Sequence, residues 1–324
     1  MGYNQANYTR IRKEYETKYL RAREAADIRR SEVQFAIPEL AEIDRALGRT
    51  GLLVMNAAMQ GEDVEAKIAA VRAENQMLLE KKRALLVAHG YPADYTEVKY
   101  ECELCRDEGF YEFKICGCMK KRLIEAAYES SGMAHLLRSQ SFENFDLAYF
   151  AEDPRTAVHM KRVLEITKSY AESFTPTAPE NLIFMGGTGL GKTHLSTSIA
   201  RTVIDRGYDV FYASSISLIS DFEMQRYGNS AGGETGLGTN QYFDCDLLII
   251  DDLGTEVINQ FTSTVLYNVI NTRINRKKAT IINTNFNQDE LLKKYVDRIT
   301  SRIFGEYRVI PFVGKDVRQK KISR

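Results

Sequence analysis

The sequence predicts an α/β fold, a parallel sheet with helices on both faces, preceded by a helical region and a small cysteine-bearing module. From about residue 155, short apolar segments alternate with helical patterns, which is typical of parallel sheets. One of these segments, 247–251, is apolar on both faces, as a central parallel strand should be. We predict three domains: a helical partner-binding region over 1–95, a cysteine module with a linker helix over 96–138, and the sheet domain over 139–324.

The first region carries apolar residues at helical spacing. The pattern after Pro38 predicts a helix, since proline suits a first-turn position, and Gly48 is its expected end. A second helix is expected over about 62–88, where a three–four apolar repeat has Asn75 and Lys82 at two seam positions. This apolar stripe either packs within its own bundle or docks a partner protein, and the pattern alone favours neither.

Four of the five cysteines lie between residues 102 and 118. A C-x-x-C pair, Cys102 and Cys105, is followed by a C-x-C pair, Cys116 and Cys118. Four thiolates this close in the chain can close a tetrahedral zinc site, and four protein ligands leave no open position, so we predict structural zinc. Metal-free cysteines and an iron–sulfur cluster are the alternatives. Cys245 precedes an apolar strand and is predicted to be a packing residue.

The charge balance and the hydropathy exclude two classes of protein. Lys+Arg and Asp+Glu are 44 each, so no global positive field draws the chain onto nucleic acid, and any DNA contact must come from local patches. No apolar run approaches the ~20 residues that cross a bilayer, and the polar N-terminus lacks the apolar core of a signal peptide. We therefore expect a cytoplasmic protein with no membrane partner.

The elements of the sheet domain follow from its apolar pattern. Strands are predicted at 181–185, 209–213, 247–251, 280–283 and 308–313. Helices are predicted at about 119–130, 157–170, 192–206, 217–226, 259–277 and 289–302. The glycine-rich segment 228–240 is expected to be a mobile loop.

A phosphate-binding loop lies between the first of these strands and the helix after it. Its residues are Gly186, Gly187, Thr188, Gly189, Leu190, Gly191, Lys192 and Thr193. The glycines let backbone N–H groups face phosphates, Lys192 supplies charge for the β- and γ-phosphates, and Thr193 offers a hydroxyl to Mg²⁺. The loop predicts ATP binding. His194 is counted with the loop, although a packing or surface role is the simpler interpretation.

Two acids end the strand about 60 residues later. Asp251 is the expected outer ligand of Mg²⁺, and Asp252 is the candidate to polarise the attacking water. Many ATPases carry the longer Glu at the second position, so turnover is expected to be slow. Thr284 and Asn285, at the end of the next strand, can hydrogen-bond the γ-phosphate and the water; capping of the following turn is the alternative for Asn285.

Three arginines complete the predicted site. Arg298 and Arg302 are four residues apart, hence on one helix face. Either could reach a nucleotide across a subunit boundary, or pair with nearby acids on the helix surface. Arg318 follows the last strand and could touch the nucleotide of its own subunit.

Together these motifs resemble the AAA+ family and, within it, the bacterial replicative helicase loaders of the DnaC and DnaI type. The resemblance covers roughly residues 100–320: the cysteine segment, the linker with NFD, GGTGLGKTHL, LLIIDDLG, INTNF, RITSRI and GKDVR. It implies that Asn285 is sensor 1, Arg302 the arginine finger with Arg298 as second choice, and Arg318 sensor 2. Only six residues follow Arg318, so the helical lid common in AAA+ proteins is not expected.

The resemblance also implies what the protein acts with. A loader of this type binds ATP, hydrolyses it weakly or on a trigger, assembles into a ring or spiral, and delivers the hexameric replicative helicase onto single-stranded DNA. IstB-type transposition helpers share nearly the same ATPase core and act on DNA with a transposase. The helical and cysteine-bearing half favours the loader, because that half binds the helicase in DnaI-like proteins. An adaptor that binds ATP without turnover is the third alternative.

Two segments are candidates for DNA contact. The segment 214–227 corresponds in position to the extra helical element that AAA+ initiators use around single strands. Its Phe222, Arg226 and Tyr227 mix rings with charge, as single-strand binding requires, although surface helices also carry such mixtures. A basic helix end, which either meets phosphates or complements the helix dipole, is formed by Arg273, Arg276, Lys277 and Lys278.

Overall fold

The computed structural model describes residues 4–59, 64–227 and 239–318. The chain forms two compact units, one of Arg12–Cys118 and one that combines Met1–Ile11 with Met119–Arg324. The division into three domains predicted above stays a prediction. Within the described ranges, no helix has both the length and the apolar character that crossing a bilayer requires.

Three long helices and one short hairpin make up the first unit and the segment that leads into it. They are α1 (Gln5–Ala36), α2 (Pro38–Met59), α3 (Val64–Ala88), β1 (Phe110–Tyr111) and β2 (Lys114–Ile115). Helix α2 begins at Pro38, as expected. The expected end at Gly48 is wrong, because the helix continues for three more turns, and a Cβ at Gly48 would meet no atom within 4 Å. Glycine lowers helix propensity but does not end a helix by itself.

The later part of the apolar stripe of α3 packs within the helical bundle. Leu78 and Leu85 contact a cluster of buried side chains from α1, α2 and α3 that includes Val33 and Leu40. The polar seam residues also find partners on α2: Lys82 Nζ lies 2.6 Å from Asp44 Oδ1, and Asn75 Oδ1 accepts a 2.9 Å hydrogen bond from the Thr50 hydroxyl. The seam residues over 75–85 therefore have their partners inside the bundle, through apolar contacts and two polar pairs.

The second unit alternates helices and strands. In chain order it contains α4 (Gly117–Ser130), α5 (Ala134–Ser139), a 3₁₀ turn (Leu147–Phe150), α6 (Pro154–Ser173), β3 (Asn181–Met185), α7 (Lys192–Asp205), β4 (Val210–Ser214), α8 (Ser215–Tyr227), α9 (Gln241–Asp244), β5 (Leu247–Leu253), α10 (Gln260–Asn275), β6 (Ala279–Thr284), α11 (Gln288–Lys294), α12 (Asp297–Glu306) and β7 (Tyr307–Pro311). Residues 228–238 of the predicted loop lie outside the described residues.

All five strands β3–β7 are parallel, in the order β4-β5-β6-β3-β7. Alternate residues of β3 enter the cores on opposite faces: Leu182 and Phe184 join one cluster, Ile183 and Met185 the other. Helices therefore cover both faces of the sheet, which is why its strands are apolar throughout. The predicted α/β fold class, a parallel sheet flanked by helices and preceded by a helical region, is confirmed.

The helix predicted over 289–302 is two helices. Tyr295 follows the last residue of α11 in an extended conformation (φ −108°, ψ 152°), and Val296 caps the N-terminus of α12. The Tyr295 side chain is buried in the core, so the chain turns there to place an aromatic ring inside. Apolar spacing does not reveal such a break, since Leu291, Tyr295, Ile299 and Ile303 keep a spacing of four and all enter the same core cluster.

Candidate ATP-binding site and cysteine cluster

The predicted phosphate loop lies at the carboxyl end of β3, between β6 and β7, and leads into α7. Gly191 precedes the first residue of α7 in a left-handed conformation, with φ 90°. A Cβ there would also lie 2.6 Å from Cε2 of Phe145, so glycine is required on two grounds. The loop thus places the N-terminus of a fourteen-residue helix at the carboxyl edge of the sheet, where its N–H groups suit an anion.

A cavity of about 320 Å³ opens beside this loop. The predicted residues on its wall are Thr188, Gly189, Leu190, Gly191, Lys192, Thr193, His194, Asp252, Asn285 and Arg318. Gly186 and Gly187 are not among the residues that line it. The volume is within the range of ordinary small-molecule sites, so the topology has gathered residues from four separate motifs around one ligand-sized space.

Lys192 is buried beneath the loop. Its Nζ donates to the carbonyls of Gly186 and Gly187, each at 2.7 Å, and to Asn285 Oδ1 at 2.8 Å. Burial lowers the pKa of Lys192 to about 8, although the nearby Asp252 and Asp251 act in the opposite direction. A buried ammonium held by neutral carbonyls is poorly compensated, so a phosphate at this position would gain a strong electrostatic interaction.

Asp251 and Thr193 meet at the same edge. The Thr193 hydroxyl lies 3.0 Å from Asp251 Oδ2 and 3.3 Å from Oδ1. Asp251 is buried and also accepts from Asn283 Nδ2 and from the Tyr212 hydroxyl. A hydroxyl and a carboxylate that converge beside a phosphate loop fit Mg²⁺, which prefers oxygen ligands. Sequence reasoning missed Asn283 and Tyr212, since strand residues that face a carboxylate look like core residues in one dimension.

Asp252 lines the cavity, one residue beyond the buried Asp251. Burial, followed by the charge of Asp251, raises the pKa of Asp252. Asn285 Nδ2 lies 3.4 Å from its Oδ1, so Asn285 bridges Lys192 and Asp252. Thr284, by contrast, is fully buried and donates to the Leu253 carbonyl. The expectation that Thr284 contacts phosphate is therefore wrong, because its hydroxyl is used in a hydrogen bond to the neighbouring strand β5.

The linker before α6 forms the other wall of the cavity, which sequence reasoning missed. It contributes Gln140, Asn144, Phe145, Asp146, Tyr149 and Phe150. The rings of Phe145 and Phe150 stack at 6.0 Å, and Phe145 also meets the edge of the His194 ring at 5.3 Å. His194 Nε2 donates to the Ser141 carbonyl at 2.9 Å. His194 thus anchors the linker to α7, and its aromatic neighbours supply an apolar face suited to a purine.

The three predicted arginines divide into two groups. Arg318 lines the cavity of its own chain, whereas Arg298 and Arg302 do not. Their guanidinium carbons lie 5.1 and 4.8 Å from the ring centroid of Tyr267. Arg302 Nε also donates to Asn271 Oδ1 at 2.5 Å. The pair is thus held on α10 by a shared aromatic ring and an amide, away from the nucleotide site of the same chain.

A family model described as IstB-like ATP binding protein matches residues 121–323, more than half of the chain. The chain belongs to the IstB-like ATP-binding protein family. The matched residues include every part of the nucleotide site described above. The chain is therefore an ATP-binding protein, and the family match covers the residues that line this cavity.

Individual relatives of this IstB-like protein come from replication and from transposition. The replicative helicase loader DnaC of Escherichia coli is 25% identical over 180 residues, which is 56% of this chain and 69% of the relative. The ATP-binding protein of insertion sequence IS232 from Bacillus thuringiensis subsp. berliner is 30% identical over 146 residues, 44% of this chain and 56% of the relative. A crystal structure of the DnaC helicase loader matches 48% of this chain and 91% of its own, with 23% identity and a TM-score of 0.43.

The four clustered cysteines lie ahead of the residues that match the IstB-like family model. Their sulfur atoms all lie within 4.8 Å of one another. Cys102 Sγ is 3.9 Å from Cys116 Sγ, and Cys105 Sγ is 3.5 Å from Cys118 Sγ. Sulfurs bound to one tetrahedral zinc at ~2.3 Å would be about 3.8 Å apart. The sulfur set therefore fits zinc, and each C-x-x-C or C-x-C pair contributes one sulfur to each of these contacts.

The surroundings of the cluster support a structural site. The Asp107 carboxylate accepts from the backbone N–H groups of Glu101 and Cys102 at 2.9 and 2.8 Å, which fixes the first knuckle. Tyr15 of α1 is buried against Cys118; desolvation and the hydrogen bond to that sulfur raise the pKa of its phenol well above the usual range. A tyrosine ring beside one sulfur and a carboxylate that fixes the loop are outer-shell supports of the kind that structural zinc sites have.

Cys102→Ser is expected to remove bound zinc from the full-length protein, because serine replaces one of four soft thiolate ligands with a hydroxyl. Metal analysis of the purified wild type should find about one zinc per chain, as one closed four-thiolate site requires. Cys245→Ser is the matched control, since Cys245 is buried in the ATPase core beside Arg273 and should keep the zinc. Equal zinc in Cys102→Ser and wild type would contradict the assignment.

Several residues of the basic helix end that was predicted to contact DNA are buried or ion-paired. Arg273 is fully buried: its guanidinium donates to the carbonyls of Tyr242, Cys245 and Ala279 and to the Thr280 hydroxyl. Its assignment to a DNA-binding helix end is wrong, because it satisfies buried carbonyls of the core. The neighbouring cations Arg276 and Lys278 are ion-paired to Asp244 and Asp246.

Helix α8 covers all of the segment 214–227 except its first residue. Phe222 packs against the rings of Tyr242 and Phe243, so its assignment as a stacking platform for bases is wrong. Arg226 lies over the Phe261 ring at 5.4 Å, and the side chain of Tyr227 is outside the described residues. Arg226 is thus the described residue of this helix that keeps a candidate DNA role.

Proposed function

We propose that this protein is an ATP-dependent loader that delivers the hexameric replicative helicase onto single-stranded DNA in replication initiation or restart. The similarity to DnaC loaders over more than half the chain supports it. A second candidate, a transposition helper that acts on DNA with a transposase, is favoured by the similarity to the IS232 protein. In either case the protein is expected to act in the cytoplasm.

The observation that carries the loader proposal is the separate unit Arg12–Cys118. It has its own apolar core and its own cysteine cluster, and it lies ahead of the residues that match the ATPase family. Its hairpin tip exposes Phe113 completely and Tyr111 by almost half. Exposed apolar side chains on a unit that the nucleotide chemistry does not need are what a protein partner would use.

In this proposal the cavity residues bind ATP and time its use. Lys192 and the loop N–H groups hold the phosphates, and the linker rings hold the base. Mg²⁺, when bound at Thr193 and Asp251, would offset the phosphate charge. Asp252 orients the attacking water, with Asn285 beside it. The shorter carboxylate of Asp, compared with Glu, suits slow turnover. Arg318 acts within the chain.

Self-assembly into a ring or spiral is the part of the proposal that Arg298 and Arg302 support. Both lie outside the cavity of their own chain, on the α10–α12 side of the unit. A neighbouring subunit that docks its cavity there would receive a guanidinium at its γ-phosphate. ATP would then be hydrolysed only in the assembled state, which is how a loader couples hydrolysis to release of its partner.

The test uses the full-length protein with the replicative helicase of the same cell. We expect stable association of the two with ATP present, and faster appearance of helicase activity on a single-stranded circle covered by single-strand binding protein. The wild type and a Lys192→Ala variant are compared, because the variant retains the unit Arg12–Cys118 and lacks only the lysine side chain that is proposed to bind the phosphates. The variant should associate with the helicase without productive loading.

Absence of any complex with the helicase, together with a complex with a transposase on duplex DNA, would overturn the loader proposal in favour of the transposition helper. ATP turnover measured with and without single-stranded DNA separates both from an adaptor. An adaptor would bind ATP in the same assays and show no turnover in any of them.

A further inference from the structure

The carboxylate of Asp251 is held by residues that no nucleotide role requires. Its Oδ2 accepts from the Tyr212 hydroxyl at 2.5 Å, and its Oδ1 accepts from Asn283 Nδ2 at 2.8 Å. Thr193 contacts both oxygens from the side of the cavity. Asp251 is therefore fixed from α7, β4 and β6 at once. Of these contacts, the one from Tyr212 is made by a long side chain on the edge strand of the sheet.

Tyr212 reaches Asp251 along the sheet rather than straight across it. In the β4–β5 register Ser214 lies opposite Asp251, and Tyr212 lies opposite Ile249. The phenol must lean two residues towards the carboxyl end to deliver its hydroxyl. Phenylalanine would fill the same space without that hydrogen bond, so packing alone does not account for a tyrosine here.

The backbone of Tyr212 is also held at the edge of β4 that faces away from β5. Its N–H donates to the Ser131 carbonyl at 3.0 Å. Gly132, with φ 79°, lies so near that a Cβ there would be 2.7 Å from the Tyr212 carbonyl oxygen. The connection between α4 and α5 thus lies along the free edge of the sheet, and it touches the residue whose side chain holds Asp251.

We propose that Tyr212 is a positioning residue: its hydroxyl orients the Asp251 carboxylate for Mg²⁺, and the Ser131–Gly132 connection sets where that hydroxyl lies. This inference rests on the proposed Mg–ATP site. Second-shell partners of metal ligands contribute orientation, and their loss weakens metal affinity by about 10- to 100-fold. The backbone contact gives the α4–α5 connection a direct influence on the same carboxylate.

The test is a Mg²⁺ titration of ATP binding, with a fluorescent ATP analogue as the probe, on the full-length protein. Tyr212→Phe is expected to raise the half-saturating Mg²⁺ concentration by about tenfold or more. Its nucleotide binding in EDTA should stay within about twofold of wild type, and its melting temperature should stay close to that of the control. Gly132→Ala, which displaces the Tyr212 backbone, should shift the Mg²⁺ titration in the same direction.

Tyr242→Phe is the matched control. Tyr242 also donates to a carboxylate, Asp221 Oδ2 at 2.6 Å, within the same unit but away from the cavity. Its Mg²⁺ titration should equal that of wild type. A Tyr212→Phe titration equal to wild type, or an equal loss of binding with and without Mg²⁺, would overturn the inference. If wild type itself binds ATP without any Mg²⁺ dependence, the proposed Mg–ATP site fails instead.

Discussion

Lys192→Ala is expected to abolish ATP binding at micromolar nucleotide. The Lys192 ammonium is buried and held by two carbonyls and an amide oxygen. A phosphate is the partner that would compensate its charge, and truncation of one member of a buried charged pair costs about 2–5 kcal/mol. The dissociation constant should rise by about 10²-fold or more, measured by titration with a fluorescent ATP analogue.

The control for this variant is Lys161→Ala, an exposed lysine on α6. It should bind ATP as wild type does. The fold of Lys192→Ala is expected to persist, because the lowered pKa of Lys192 shows that burial of its charge is unfavourable without a ligand. ATP binding by Lys192→Ala that is indistinguishable from that of Lys161→Ala would show that the loop does not hold the nucleotide.

Arg302→Ala is expected to leave ATP binding intact and to remove turnover that depends on assembly. Arg302 does not line the cavity of its own chain, so binding to an isolated chain does not involve it. An arginine supplied across a subunit boundary is worth about 10³–10⁵ in kcat. Turnover in the assembled state should therefore fall to the rate of the isolated chain, measured at concentrations above and below assembly.

Two variants make this experiment specific. Arg308→Ala removes an arginine that is ion-paired to Glu180 on the surface, and it should hydrolyse ATP normally. Arg298→Ala tests the second choice, which shares the Tyr267 ring with Arg302. Normal assembled turnover in Arg302→Ala together with its loss in Arg298→Ala would transfer the finger role to Arg298.

The strands and the nucleotide loop were predictable because their signals are local. Each predicted strand, 181–185 among them, agrees with the structure to within two residues at either end, since an apolar run between polar turns is short and distinct. The phosphate loop depends on a fixed spacing of glycine, lysine and threonine between a strand and a helix. The carboxyl edge of a parallel sheet then places Asp252 and Asn285 beside it without further information.

Two of the failures, at Arg273 and Phe222, concern residues whose role depends on distant partners. Arginine is usually a surface residue, but Arg273 donates to three carbonyls of residues that lie 6 to 31 positions away in the chain. Phenylalanine is a residue type that stacks on bases, but two rings of α9 pack against Phe222. Glycine is common at helix ends, but α2 continues past Gly48. For Arg273 and Phe222 a tertiary contact outweighs a local preference, whereas Gly48 shows that a glycine by itself does not end a helix.

By itself the sequence determined the phosphate loop, the strand order along the chain, the four-cysteine set and the positions of Lys192, Thr193, Asp251 and Asn285. Only the tertiary structure decided what surrounds them: the aromatic linker wall, the pairing of Arg298 and Arg302 on Tyr267, and the tyrosine on Asp251. The physical reason is range. Spacing in the chain encodes contacts within one turn or one strand, whereas side chains from separate elements meet only where the packed sheet brings them together.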